Sequence, residues 1–325
     1  MHPAFSVIFL TTLIGVGQGL FLALYTGQSY AAVELLPTQD PASFYGTGGA
    51  IAIIFLIGGL IASFFHLGRP ERAWRAAAMW RTSWLSREVI VLPIVMGLIF
   101  VYSVMHYFDL DTILFTTKTG ARLHVTTVIG GLGTVATFAL FLCTGMIYAA
   151  VKFLQEWASP LTVINYLLLG TASGFTLATA FASQTAPELM NFYGIWAIII
   201  TLAALFTRGW SLFRNARLKA KSTIQTAIGI RHQKIKQVSM GMKGGAVNTR
   251  DFFHHTSASF MKTIKYGFIV LVFFVPTILL WKGMQSGDGL ILSAAFLVQY
   301  AGLIAERWYF FAQANHPQKL YYQTT

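Results

Sequence analysis

Apolar residues fall along this chain in eight blocks separated by polar stretches. Each block is close to the roughly 20 residues that an α-helix needs to cross a hydrocarbon layer of about 30 Å. The blocks occupy residues 5–25, 47–66, 88–107, 123–150, 161–182, 191–207, 266–282 and 289–311, and they predict an all-α integral membrane protein with eight transmembrane helices. The helices form one transmembrane domain over 1–311, interrupted between the sixth and seventh by a basic arm at 208–265 and followed by a tail at 312–325. Residues 1–4 carry none of the lysine or arginine of a signal-peptide n-region, and the first block is long enough to span, so it is expected to be retained as the first helix.

Composition agrees with the pattern. A length of 325 residues would suggest two soluble domains, but 55% hydrophobic and only 10% charged residues, with a mean hydropathy of +0.62, place the chain in the membrane class. The single cysteine, Cys143, lies inside an apolar block. The chain therefore makes no internal disulfide and offers no thiolate set for an iron–sulfur cluster or structural zinc, so any metal redox centre must sit on another chain.

The formal charge of +12 is concentrated on one side. With eight spans, 20 of the 23 lysines and arginines share the side of both termini, and by the positive-inside rule that side is cytoplasmic. Seven or nine spans would destroy the asymmetry. Nothing in the sequence interleaves aromatic and basic residues as a nucleic-acid module does. The arm at 208–265 carries 12 of the basic residues together with Gly241, Gly244 and Gly245. It reads as an irregular or partly helical segment, either a solvated loop drawn to anionic lipid or a dock for a soluble partner.

The segment at 66–88 is the densest in charge, with five arginines, two glutamates and a histidine between two apolar blocks. Charge at the edge of a bilayer is costly and points to function. Quinone exchange moves two electrons and two protons, and it needs an apolar slot, donors for the ring oxygens and side chains that pass protons to water. A histidine and a carboxylate supply the last two. His66 ends the second block and Glu88 begins the third, so the pair is expected to converge on a lipid-accessible crevice near the cytoplasmic surface. Arg69 and Arg87 are placed to hold Glu88 ionised or to orient a ligand, while Arg72, Arg75 and Arg81 suit lipid phosphate. Ser83 joins the candidate lining, and Trp84 would lie with Trp74 and Trp80 at headgroup depth. Asn165 and Tyr166 open the fifth block and Glu306 and Arg307 close the eighth, at the same depth. They either complete the pocket or form interhelical hydrogen bonds. The plainer readings are an interfacial His66 and a Glu88 paired with a neighbouring arginine.

Three other readings carry less. Gly15, Gly17 and Gly19 have a dinucleotide-like spacing but sit in an apolar block with no preceding strand, which suits close helix packing instead. His106 and His124 flank one external connection and are the one histidine pair placed for haem; no haem is expected. A secondary transporter would carry charge at the midplane of two repeats, whereas these charges lie at the edges.

The motifs HLGRP at 66–70, RAWRA at 72–76 and SWLSRE at 83–88 resemble the membrane anchor subunits of the dimethyl sulfoxide reductase family, related more distantly to polysulfide reductase anchors. The opening MHPAFSVIFLTTLIGVGQG is similar to the branch that serves cytoplasmic sulfite-oxidising enzymes, the sulfite dehydrogenases. The resemblance implies two four-helix bundles without haem, in a three-subunit enzyme of the bacterial inner membrane. A molybdopterin catalytic subunit and an iron–sulfur subunit with four-iron four-sulfur clusters would sit on the cytoplasmic side, and this anchor would exchange electrons with quinone. It also implies that His66 and Glu88 correspond to the histidine and glutamate of the quinol site. A sulfoxide or polysulfide reductase would use the same anchor chemistry in the opposite direction.

Overall fold

A computed structural model of the protein describes residues 1–116, 122–239 and 250–322. Among them, eight helices are long and apolar enough to cross a membrane: Phe5–Ala32, Pro41–Phe64, Trp84–Tyr107, Val125–Ala149, Pro160–Thr185, Pro187–Ala216, Ala258–Ser286 and Gly289–Ala312, here the first to eighth spans. The Met1 ammonium donates to the carbonyls of Ala312 at 3.3 Å and Ala314 at 2.8 Å. Both ends of the chain thus meet at one end of the bundle, as an even number of crossings requires. The arginines of 66–88 lie at this end by chain order, and it is called the basic end below.

The first span lies at the centre, packed against the second, fourth and fifth. Its glycines explain how. A side chain on Gly19 would strike the backbone of Gly170 and Gly174, and one on Gly17 would lie 2.7 Å from the Ala52 carbonyl. Only a residue without a Cβ lets backbones approach this closely, and in lipid such van der Waals contact drives helix association. The glycine spacing in the first block is therefore a packing seam.

The seventh span contains a wide turn at Val270–Phe274, just before Pro276. Proline has no N–H to give to the Val272 carbonyl four residues back, and Gln299 of the eighth span donates to that carbonyl at 3.3 Å and to Thr201 Oγ1 at 3.2 Å. Gly302 lets the same backbone come within reach of the eighth span.

Several helix ends differ from those read off the apolar blocks. The sixth span runs to Ala216 rather than 207 and the seventh starts at Ala258 rather than 266, so Arg208 belongs to a helix and not to the arm. Apolar windows stop at a charge, whereas a helix continues when the charge finds a buried partner. The connection before the fourth span also forms a small antiparallel hairpin, Ile113–Thr116 with Arg122–His124, in an otherwise helical chain. Lys118, counted on the external side, lies outside the described residues, as do Gly241, Gly244 and Gly245.

The described parts of the arm are not free of the bundle. His2 N donates to Asp251 O at 2.9 Å, Phe252 stacks on His316 at 3.7 Å, and Tyr321 Oη donates to the Ala227 carbonyl at 3.1 Å. The arm thereby lies against both terminal segments.

Candidate functional site

Glu88 sits one turn inside the third span and is 8% exposed. Ser83 starts that helix by accepting from Ser86 N at 3.3 Å, which fixes the phase of the turns after it. Successive helix residues project about 100° apart, so Glu88 turns inward while Arg87 stays outside. Thr144 Oγ1 of the fourth span donates to Glu88 Oε1. The carboxylate borders a cavity of about 20 Å3, shared with Leu10, Gln18, Tyr166, Ser173 and Arg307. That is room for one water molecule, not for a quinone ring. Of the described lining residues, Leu10 is the one that is not fully buried.

Behind the cavity lies a buried ionic cluster. Glu306, fully buried, lies between two arginines: Arg208 Nε is 2.6 Å from its Oε1 and Arg307 Nε 2.6 Å from its Oε2. The Arg307 guanidinium also lies 4.0 Å from the centre of the Tyr166 ring, which stacks on Tyr148 at 5.6 Å. Both Arg307 Nη groups are buried with no acceptor in hydrogen-bonding geometry among the described residues. One carboxylate between two guanidiniums leaves a surplus positive charge in a low-dielectric region. An ionised Glu88 at the adjoining cavity brings the four groups to neutrality.

Of the residues singled out in the sequence, the cavity brings together Glu88, Tyr166 and Arg307, and Glu306 reaches it through Arg307. The expected convergence of His66 on Glu88 is not seen. The second span ends at Phe64, His66 is exposed beyond it and does not line the cavity, and Glu88 faces the interior. Arg69 is exposed. Arg87 does not hold Glu88: its Nε donates to the Trp80 carbonyl at 2.9 Å, its Nη2 to the Arg81 carbonyl at 2.8 Å, and its guanidinium lies 4.2 Å from the centre of the Trp84 ring. These contacts latch the connecting segment onto the third span. Asn165 accepts from Thr207 Oγ1 at 2.8 Å, an interhelical bond away from the cavity lining.

Sequence reasoning missed Thr144 and Arg208. A threonine in an apolar helix usually bonds its own backbone and signals nothing, and Arg208 stood at the edge of a block where it read as a loop residue.

Eight apolar helices with a buried carboxylate–arginine cluster at one end define a multi-pass membrane protein that keeps charge in its interior. The DMSO reductase anchor subunit (DmsC) family matches residues 1–313, and the chain belongs to that family: it is a membrane anchor subunit of an oxidoreductase complex. A sulfite dehydrogenase subunit from Allochromatium vinosum is 57% identical over 324 residues, covering 100% of this chain and 99% of that protein. The resemblance read from 66–88 and from the opening segment thus extends over nearly the whole chain.

Proposed function

We propose that this chain is the quinone-reactive subunit of a sulfite-oxidising complex, taking electrons from an iron–sulfur subunit and passing them with protons to the quinone pool. The observation that carries the reading is Glu88, a buried carboxyl bonded by Thr144 and sharing its cavity with Arg307. Reduction of a quinone takes up two electrons and two protons. Protonated Glu88 donates to one ring oxygen, and the Arg307 N–H groups stabilise the negative oxygen that forms as electrons arrive. Protonating Glu88 leaves the cluster of Arg208, Glu306, Arg307 and Glu88 with one surplus positive charge, which favours the partly reduced ring. Once the proton is delivered, ionised Glu88 restores neutrality.

The ring is admitted from the lipid side by displacement of Leu10, and water in the cavity returns protons to Glu88. His66, exposed at the same end, exchanges protons with solvent instead of touching the ring; partial burial holds its pKa below the usual imidazole value. The excess of lysine and arginine on the side of the termini supports a basic end that faces the bacterial cytoplasm, the side on which an iron–sulfur subunit and its molybdopterin partner would dock. Sulfite as the electron source follows the name of the Allochromatium relative.

In the purified complex, Glu88→Gln should lower quinone reduction by about a hundredfold, with assembly of the complex and sulfite oxidation by an artificial acceptor unchanged. Wild-type quinone turnover in that variant would contradict the assignment.

A further inference from the structure

Beyond the transmembrane core, three segments of the basic end border a second, larger cavity that is partly open to solvent. The connection after the fourth span, the chain leaving the sixth and the tail after the eighth surround about 620 Å3. Lys152, Lys219, Lys221 and Lys319 line it, and Glu156 is the one carboxylate among the described lining residues. Glu156 Oε1 accepts from Asn315 Nδ2 at 2.9 Å. Among the described residues no ion pair ties down Lys152, Lys219 or Lys221, and Lys319 Nζ donates to Asn315 Oδ1 at 3.3 Å. The C-terminal ends of three helices converge here, each worth roughly half a negative charge, so the lysines remain in surplus. Burial lowers the pKa of Lys319, with Glu156 offsetting part of the effect. An ammonium in that position gains from an anion that follows it out of water.

The cavity is also amphipathic. Phe153, 54% exposed, stands with Leu218 and Leu320 among the lining residues, and the helix ends place them at the depth of lipid headgroups. A lysine-lined pocket with apolar residues beside it at this depth matches a phosphodiester that carries acyl chains.

We propose that this cavity binds an organic phosphate, the headgroup phosphodiester of an anionic membrane phospholipid. The site is separate from the Glu88 cavity, and its occupation ties the arm and the tail to the bilayer surface.

The test uses the whole complex purified in mild detergent. Native mass spectrometry counts the phospholipids retained, and thermal unfolding is followed after adding phosphatidylglycerol, phosphatidylcholine or inorganic phosphate. Wild type should retain anionic lipid and be stabilised by phosphatidylglycerol alone. The triple variant Lys219→Gln, Lys221→Gln, Lys319→Gln should lose that lipid, with affinity reduced on the order of a hundredfold. The triple Lys→Arg variant should keep it, which separates loss of charge from misfolding. Equal stabilisation by inorganic phosphate would identify a free anion as the ligand and overturn the lipid source. Unchanged lipid retention in the Gln variant would overturn the site. Loss of the soluble subunits from the Gln variant with lipid retained would make the pocket a protein contact, again overturning the proposal.

Discussion

At the basic end, Glu306 is fully buried between two arginines, and the neighbouring cavity has space for a single water. At the opposite end, His106 is 4% exposed, has no hydrogen-bond partner on either ring nitrogen among the described residues, and faces a cavity of about 340 Å3. That cavity is rimmed by Thr38, Gln39 and Asp109 of the connecting segments, so water reaches it. His124 beside it is engaged by Asp111, Nδ1 to Oδ2 at 2.9 Å. The contrast follows from what each group costs to bury. A charge in a dry interior must have a partner, whereas the His106 ring is held by stacking between Tyr45 and Tyr102, at 4.9 and 4.5 Å. Free volume therefore does not locate the chemistry here. On the proposed reading it follows paired and nearly balanced charge.

The comparison breaks first at Glu306. Glu306→Ala leaves Arg208 and Arg307 buried without their counter-ion and should cost about 3–5 kcal/mol, read as a fall in thermal unfolding temperature in detergent. Wild-type stability would mean that the cluster is hydrated rather than dry. Leu10→Trp comes next, filling the half-buried edge of the Glu88 cavity. It should raise the KM for quinone about tenfold with little change in sulfite oxidation by an artificial acceptor; an unchanged KM would place quinone access elsewhere. Arg87→Ala removes an exposed latch worth about 0.5–1 kcal/mol, and quinone turnover should hold because Arg87 faces the connecting segment. A collapse of turnover would restore Arg87 to the site. The smallest effect belongs to the other end: His106→Phe keeps the ring stack and should alter neither turnover nor stability by more than about 1 kcal/mol.

Much of the molecule was legible in the sequence, and unevenly. Eight spans follow from block length, since a bilayer imposes that length on every crossing. Glu88 stood out as a charge at the edge of an apolar block. Its partners did not, because Thr144 resembles any threonine in a membrane helix and lies on a different span. The Arg208–Glu306 pair was hidden for the same reason: the two residues are remote in sequence, Arg208 reading as the start of the arm and Glu306 as the end of the eighth block. His66 was drawn to Glu88 by their shared position at the mouth of one connection. The structure separates them because the second span stops two residues early and the third begins four residues before Glu88.

The central claim is that quinone reacts at the basic end, beside Glu88, and not in the roomier cavity at the other end. Photolabelling the purified complex with a photoreactive quinone, followed by peptide mapping, addresses it directly. The label should appear on the first span around Leu10 and on the eighth around Leu303, and be displaced by excess quinone. Displaceable label on the residues around Tyr45, Met105 and His106 would contradict the account.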